Sequence, residues 1–431
     1  KEPVFQFGEK GHARRPPVAS ARSNRFAVAT VAPQAPLKSR GGPCRTGSCP
    51  LRHSTVWRSA RRVIKASHDT NLAHIAFAVA ALLPLPLLVL GTLNGGVWLW
   101  FAFGYMAILT LLLDQLIPLT GSSGQAPDTA LSGGAEFPGA DALLVSLALG
   151  QLAVLPVAVW GIAGDSGLLG VERVLLFFAA GFWFGQVAHP AAHELIHRPR
   201  RELFRLGAAI YASLLFGQHA SAHRLVHHRH VATAQDPNSA RAGEGFYRFA
   251  RRAWIGSFVE GMRAETAMRN RTTRVTAGLH PYAVYLLGGA AALVLAALIA
   301  GPAGVLVWTG LALHAQSQIL LSDYVQHYGL VRARQPDGRW EPVGPAHSWN
   351  TAHWFTTAMM LNAPRHSDHH VSPGRPFPAL RLPPEDQAPR LPWPLPLACA
   401  MALSPSLWRR AVRPHLARWH PRQTAPQDTA P

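Results

Sequence analysis

Residues 168–197 read LLGVERVLLFFAAGFWFGQVAHPAAHELIH. The first twenty are mostly apolar, and about 20 apolar residues are what an α-helix needs to cross a bilayer. The phrase His193-Glu-Leu-Ile-His197 follows directly, so the helix is predicted to continue past the membrane surface. Its two histidines are four residues apart and share one helix face, where they can hold one metal ion side by side.

Three further histidine phrases follow. Neutral imidazole suits iron, copper, zinc and nickel, whereas a single zinc ion takes only three or four protein ligands. Nine candidate ligands therefore indicate two ions. In the second phrase the first two histidines repeat the spacing of four, and the third, turned by about 100° on a helix, can reach a second ion. The last phrase offers a spacing of three. The phrases are His223-Arg-Leu-Val-His227-His228, Gln326-His327-Tyr-Gly329 and His366-Ser-Asp-His369-His370.

Long apolar runs predict an all-α integral membrane protein with six transmembrane helices and a histidine-rich cytoplasmic cap. A seventh run, Leu203–Phe216, is too short to cross and is predicted to be re-entrant or interfacial. With six crossings, all four histidine phrases lie on one side of the membrane. The predicted spans are Leu72–Leu93, Val97–Ile117, Ala142–Ala163, Leu168–Ala188, Tyr282–Ala300 and Gly304–Leu321.

Charge predicts which side this is. Residues 193–280 contain 14 arginines and six acidic residues, whereas the short turns at 94–96, 164–167 and 301–302 contain no lysine or arginine. The positive-inside rule predicts that the histidines lie on the cytoplasmic side of the membrane. The same rule accounts for the net charge of +19 without nucleic-acid binding. The loop 119–140, also predicted to be cytoplasmic, has no basic residue.

Three regions are predicted. Residues 1–68 are basic and lack the apolar core of a signal peptide, so we expect a disordered extension or sequence upstream of the true start. Residues 69–385 form the catalytic domain. Residues 386–431 are a proline-rich, basic tail, expected to be disordered from about Arg410. None of the three cysteines belongs to a Cys-x-x-Cys pair, so an iron–sulfur site is not expected and electrons must come from another protein.

The histidine phrases and their surroundings resemble the membrane fatty acid desaturase and hydroxylase superfamily. More narrowly, residues 70–385 resemble the bacterial alkane 1-monooxygenases. Beside His193–Pro199, the resemblance depends on His227-His-Arg-His-Val-Ala-Thr233 with Asp236-Pro237, on Asp323-Tyr-Val-Gln-His-Tyr-Gly-Leu330, on His347-Ser-Trp-Asn350 and on Arg365-His-Ser-Asp-His-His370.

The resemblance implies a non-haem di-iron centre that activates O2 and hydroxylates a terminal C–H bond of a hydrophobic small molecule taken from membrane lipid. It implies electrons from NADH through a reductase and rubredoxin, whose acidic surface would suit the arginine-rich face. Oligomeric state is left open. The implied iron ligands are His193, His197, His223, His227, His228, His327, His366, His369 and His370.

Three positions depart from the family pattern. Ala222 and Gln326 stand where glutamate is usual, and Val226 stands where glycine is usual. These changes bear on substrate and outcome rather than on metal binding. Glu194 and Asp368 are expected to orient ligands by hydrogen bonds. The remaining histidines are expected to be hydrogen-bonded interior or interfacial residues.

Other functions remain open at this point. A fatty acid desaturase or an aryl-methyl hydroxylase would use the same iron chemistry. His193, Glu194 and His197 also match a zinc metalloprotease motif, but a protease leaves six histidines unexplained. A metal transporter would place its ligands at mid-membrane rather than beyond the ends of the spans.

Overall fold

The computed structural model describes residues 75–116, 139–271 and 278–419. The predictions for residues 1–68, for most of the loop 119–140 and for the last residues of the tail fall outside these ranges. The longer helices within them are α1 Ile75–Asn94, α2 Val97–Gln115, α3 Ala140–Ala163, α4 Gly170–Ile196, α5 Arg201–Ser213, α6 His219–Ala222, α7 Phe246–Arg271, α8 Pro281–His327, α9 Trp354–Met359, α10 His366–Val371, α11 Leu395–Ala402 and α12 Pro405–Trp419.

The described residues are mostly helical, with β-structure among them limited to the isolated bridges Arg334–Trp340 and Asn350–Arg390. Within the described ranges, five helices, α1 to α4 and α8, are long and apolar enough to cross a membrane. The prediction of an all-α protein with several apolar helices is therefore confirmed. The two last predicted spans both lie within the single 47-residue element α8.

Helix α8 is broken at Ala300 and Gly301, where the backbone leaves the helical region. Gly301 has a φ of 57°, which glycine adopts at little cost. This break divides α8 into a first arm before Ala300 and a second arm after Gly301. Both arms nevertheless reach the end of α5. A Cβ on Gly288 would lie 3.0 Å from the Cβ of Ala212, and the Trp308 indole donates a 2.8 Å hydrogen bond to the Ser213 carbonyl. In a straight helix these two contacts would be about 30 Å apart, so α8 folds back on itself.

Helix α5 covers most of the predicted re-entrant run. Its 13 residues extend only about 20 Å, and it packs tightly on α4, since a Cβ on Gly207 would lie 2.8 Å from the Ala192 carbonyl. Near its end, Gln151 from the middle of α3 donates hydrogen bonds to the Ile210 carbonyl and the Ser213 hydroxyl. The helix therefore ends at mid-depth of α3, in agreement with a segment that enters and does not cross.

The C-terminal segment corrects one expectation. Residues from Arg410 onward were expected to be disordered, but α12 is helical through Trp419. Trp408, Val412 and Leu416 recur every four residues, are buried, and form the apolar face of this helix. Leu416 lies against Gly329, just after α8. A regular apolar stripe thus stabilises a helix in a segment whose composition alone suggests disorder.

The contact of α4 with the second arm of α8 depends on Gly181. A Cβ there would collide with the His314 imidazole. We expect Gly181→Ala to destabilise the protein by about 1–3 kcal/mol through overpacking, measured as a lower melting temperature in detergent. Gly170→Ala on the same helix is the control, because its Cβ would meet no atom within 4 Å. If His314→Ala failed to rescue Gly181→Ala, this contact would not be the cause.

Candidate metal centre

The structure brings all nine predicted histidines together at the ends of α4 and α8, in two adjacent groups. Within each group, one ligand atom per residue lies within 4.8 Å of every other. The five-histidine group consists of His193, His197, His223, His228 and His369, and the four-histidine group of His227, His327, His366 and His370.

The imidazole nitrogens lie too close together in too large a cluster for hydrogen bonding alone. The Nε2 atom of His223 is 2.7 Å from that of His193 and 2.9 Å from that of His228, which in turn is 3.1 Å from that of His369. A neutral imidazole nitrogen is either one donor or one acceptor. The His223 nitrogen cannot serve both neighbours in this way, so the cluster calls for a different partner.

A metal ion fits the arrangement. Two nitrogens at right angles around an ion, each about 2.1 Å from it, are about 3.0 Å apart. The four-histidine group shows the same spacing, with His366 Nε2 3.0 Å from the Nε2 atoms of both His327 and His370. His197 Nε2 and His227 Nε2 are buried without a hydrogen-bond partner. Donor sets made only of imidazole nitrogens suit iron, copper, zinc and nickel.

The first phrase behaves as its spacing predicts. His193 and His197 lie at the end of α4, with ring centroids 5.0 Å apart, and belong to the same group. A π-helical turn at Phe184–Ala188 precedes them in α4. Such turns often occur at functional sites, where the extra residue re-aims the side chains that follow.

The second phrase corrects the expected pairing. His223 and His227 were expected to bind one ion and His228 to reach another, but His223 and His228 share the five-histidine group whereas His227 belongs to the four-histidine group. The cause is a π-turn over His223–His227, in which the His228 amide donates to the His223 carbonyl. Residues five apart, rather than four, therefore lie on adjacent turns.

The third phrase also pairs differently. On α10 the expected spacing was three, but His366 pairs with His370, four residues on, in the group that contains His327. His369 points to the five-histidine group, where its ring lies 4.4 Å from that of His193. One short helix thus contributes to both groups.

Asp236 is a functional candidate that the sequence analysis used only as part of the resemblance. Its buried carboxylate accepts a 2.8 Å hydrogen bond from Nδ1 of His227 and further bonds from the Ser239 hydroxyl and the Asn238 amide. This contact fixes the tautomer that leaves Nε2 of His227 available to a metal. A carboxylate nine residues after a histidine gives no helical spacing signal, so only the fold reveals it.

The two carboxylates predicted to orient ligands have other partners. Glu194 accepts a 3.0 Å hydrogen bond from the Phe377 amide and lies 3.6 Å from Arg198. Asp368 accepts hydrogen bonds from the Arg375 side chain and the Arg381 amide. These contacts tie the first and third histidine phrases to the segment 375–381. Asp368 was expected to form a hydrogen bond with an imidazole, but in the described residues it accepts hydrogen bonds from Arg375 and Arg381 instead.

The His347–Asn350 phrase acts as a clamp. Asn350 Oδ1 accepts hydrogen bonds from the amide and hydroxyl of Ser367, beside His366. The Trp349 amide donates to the Gln326 carbonyl, and its indole donates to the Tyr328 carbonyl. The phrase therefore holds the start of α10 against the end of α8.

The three departures have structural settings. The Gln326 side-chain amide donates a hydrogen bond to the Ala363 carbonyl and accepts one from the Ser322 hydroxyl. It therefore connects the end of α8 to the backbone at Ala363. Ala222 faces α7, where a Cβ built on Gly261 would lie 3.0 Å from the Cβ of Ala222. This close approach leaves no room for a longer side chain at position 222 in that direction. Val226 is buried.

The electrostatics favour neutral ligands. Burial, reinforced by neighbouring imidazoles, holds the pKa of His223, His369 and His370 well below the ordinary value. His227 is the exception. Burial acts to lower its pKa, but the Asp236 carboxylate outweighs this and raises it. Neutral imidazole is the form that binds a metal.

The Asp236 contact yields a test. We expect Asp236→Asn to weaken metal binding by the four-histidine group about 10- to 100-fold, because His227 loses its charged acceptor. Metal content after dialysis against increasing chelator measures this. Asp337→Asn in the exposed loop 331–344 is the matched control. Equal metal retention by the two variants would contradict a role for Asp236.

Comparison with known proteins gives a consistent result. The family model described as fatty acid desaturase matches residues 172–382, which include all nine histidines. Alkane 1-monooxygenase 1 of Pseudomonas aeruginosa is 30% identical over 262 residues, 61% of this chain and 66% of the relative. Alkane 1-monooxygenase 2 of Alcanivorax borkumensis is 27% identical over 331 residues, 75% of this chain and 84% of the relative.

A third relative is the xylene/toluene monooxygenase hydroxylase component XylM of Pseudomonas putida, 26% identical over 350 residues, 78% of this chain and 88% of the relative. The match to the Pseudomonas aeruginosa protein spans just under two thirds of that protein's length. The match to the family model covers the four phrases that contain the nine histidines. The chain is therefore similar to the fatty acid desaturase family over residues 172–382 and to the alkane 1-monooxygenases over a longer stretch.

Proposed function

We propose that the chain is a membrane non-haem di-iron monooxygenase. It hydroxylates the terminal C–H bond of medium- or long-chain alkanes, or of a similar hydrophobic substrate, with O2 and with electrons delivered by rubredoxin. The observation that carries this proposal is the pair of all-histidine groups, of five and four ligands, with nitrogen separations of 2.7–3.1 Å. The alkane 1-monooxygenase relatives supply the expected reaction.

The nine histidines would hold the two iron ions, whose chemistry when bound is the activation of O2 toward a strong C–H bond. The residues of the chain provide the surroundings. His227 is fixed by Asp236, and Asn350 holds the segment that carries His366. His327 is fully buried and the other ligands are buried or nearly so, which keeps bulk water from the reacting groups.

In the membrane, we propose six crossings with the metal centre on the cytoplasmic side of a bacterial inner membrane. The two arms of the folded-back α8 would supply the last two crossings. The hydrophobic substrate would then reach the centre from the bilayer between the helices. Apolar side chains such as Val174 and Phe178 are exposed on α4, the helix that leads to His193.

Two related outcomes have specific support. The family model is described as fatty acid desaturase, and the similarity to XylM favours an aryl-methyl substrate. Product analysis separates hydroxylation from desaturation. The zinc protease has no comparable support, because Glu194, the required base, is engaged by the Phe377 amide and lies beside Arg198.

Metal content tests the proposal directly. We expect the detergent-purified protein to contain about two irons per chain, and His369→Ala to lose iron and octane hydroxylation because the five-histidine group loses a ligand. His415→Ala, outside both groups, should retain both. One zinc per chain, kept in His369→Ala, would overturn the di-iron proposal.

Cysteine labelling tests the topology. Asp165 lies exposed in the turn between α3 and α4, and Arg339 lies exposed after α8. In a cysteine-free background, we expect a membrane-impermeant maleimide to label Asp165→Cys in right-side-out vesicles and Arg339→Cys only in inverted ones, because three crossings separate them. Labelling of both from the same side would mean that α8 crosses once.

A further inference from the structure

A second concentration of buried polar groups lies outside the metal centre, where the end of α2 meets the short helix α9. Asp114 is buried next to the last residue of α2. Its Oδ1 accepts hydrogen bonds of 2.7 and 3.2 Å from the Phe355 and Thr356 amides. These are two of the amides that the start of α9 leaves free, so the carboxylate fixes α9 against α2.

Five side-chain polar atoms here are buried and have no hydrogen-bond partner within the described ranges of the chain. Native proteins leave roughly a few such atoms per 100 residues, and each is costly unless water serves it. Four of the five fall within the segment 351–357. A buried water needs several polar partners around one space, which this set provides. We call it the α2–α9 polar cluster: Asp114 Oδ2, His353 Nδ1 and the hydroxyls of Thr351, Thr356 and Thr357.

Two members of the cluster can exchange protons. Burial lowers the pKa of His353, and the Asp114 carboxylate is near enough to act against this. An imidazole can accept a proton at one ring nitrogen and release one from the other. Asp114 is followed by the exposed Gln115. One end of the cluster therefore lies at the surface end of α2.

The other end of the cluster adjoins the third histidine phrase. The Thr351 amide donates a 3.0 Å hydrogen bond to the Pro364 carbonyl, two residues before His366. The preceding residue, Asn350, accepts hydrogen bonds from Ser367, directly after His366. The polar segment thus begins beside a candidate metal ligand and ends at Asp114.

We propose that the α2–α9 polar cluster is a hydrated path that carries protons from the protein surface to the metal centre. The proposal rests on the proposed function, in which RH, O2, two electrons and two protons give ROH and H2O. Both protons must reach buried ligands, and the apolar helices offer no groups to pass them. A proton taken up by the Asp114 carboxylate passes through His353 and the threonine-bound water. It ends on the oxygen atom from O2 that leaves as H2O.

Radiolytic hydroxyl-radical footprinting tests for the water without turnover, because radicals formed from bound water oxidise the side chains beside it. Met359 is fully buried on α9. Met106 is also buried, about 12 Å from Asp114 along α2, and is the matched control. In the full-length protein in nanodiscs, we expect Met359 to be oxidised several times faster than Met106. Equal protection of the two methionines would mean a dry cluster and overturn the path.

The Thr356→Val with Thr357→Val variant separates wet hydroxyls from dry ones, because valine keeps the shape of threonine without the hydroxyl. If the hydroxyls hold water, the variant should protect Met359 several-fold and lower the melting temperature. If they are dry, valine would remove two unpaired buried groups and raise the melting temperature, which would overturn the path. Thr110→Val is the control, since the Thr110 hydroxyl already donates to the Tyr105 carbonyl.

Asp114→Asn tests proton transfer, because asparagine keeps the Oδ1 acceptor for the two α9 amides but cannot ionise. The chemically reduced enzyme is mixed with O2 in H2O and in D2O, and its reoxidation is followed optically. We expect the variant to slow reoxidation about tenfold or more, within the roughly 10²- to 10⁴-fold that a positioned proton donor contributes. The solvent isotope effect should rise, whereas iron content and the KM for octane stay unchanged.

Thr110→Val should leave the reoxidation rate and the solvent isotope effect as in the wild type. If Asp114→Asn also left both unchanged, the cluster would not carry protons. Neither footprinting nor reoxidation requires octane. Slowed reoxidation in Asp114→Asn, with no octanol formed by the wild type, would therefore count against the proposed reaction and not against the path.

Discussion

The close approach of nine imidazoles is the constraint on which the rest of the structure depends. Buried polar groups without partners are costly, and four nitrogens linked in a chain at separations of 2.7–3.1 Å cannot all form hydrogen bonds with one another. Folding therefore concentrates an unfavourable set of groups that bound metal would make favourable. Hydrogen bonds from surrounding residues hold the histidine-bearing segments in place despite this unfavourable clustering. Asp236 holds His227, Asn350 holds the start of α10, and Glu194 ties α4 to the segment around Phe377.

The membrane-type helices supply the rigid base for that cluster. Helices α4 and α8 run from apolar segments directly into ligand-bearing turns, so their positions fix His193, His197 and His327. Helix α5 turns back at mid-depth and returns the chain to the second phrase. Its contacts with both arms of α8, through Ala212 and Ser213, lock the two halves together. The apolar helices thus determine where the ligands meet.

Much of this could be predicted from the sequence, and the misses have physical causes. Apolar length predicts which runs form long helices, and the spacing of His193 and His197 predicts their shared group. The assignment of His223, His227 and His228 fails because a π-turn, which leaves no simple signature in composition, changes which residues align. The roles of Asp236 and Asp368 depend on contacts formed by the loops that follow short helical turns, such as Asp236 with His227 and Asp368 with Arg375, and loop contacts leave no helical periodicity in the sequence. The order of residues 405–419 was missed because charge composition masked the four-residue stripe of Trp408, Val412 and Leu416.

In the proposed function, the position of the metal centre follows from the phases in which the reactants are found. A hydrophobic substrate concentrates in lipid because water expels apolar surface, so it is best received between the apolar helices. The proposed protein carrier is confined to water and needs a polar, charged face. The histidine groups lie where the apolar helices end and the arginine-rich segments begin, which is where reactants from both phases can reach one centre. Moving the ligands deeper into the apolar helices would bury more polar nitrogen in lipid and lengthen the path from any water-soluble carrier. Moving them outward would take them away from the substrate. Their position at the boundary is thus the arrangement that both reactants require.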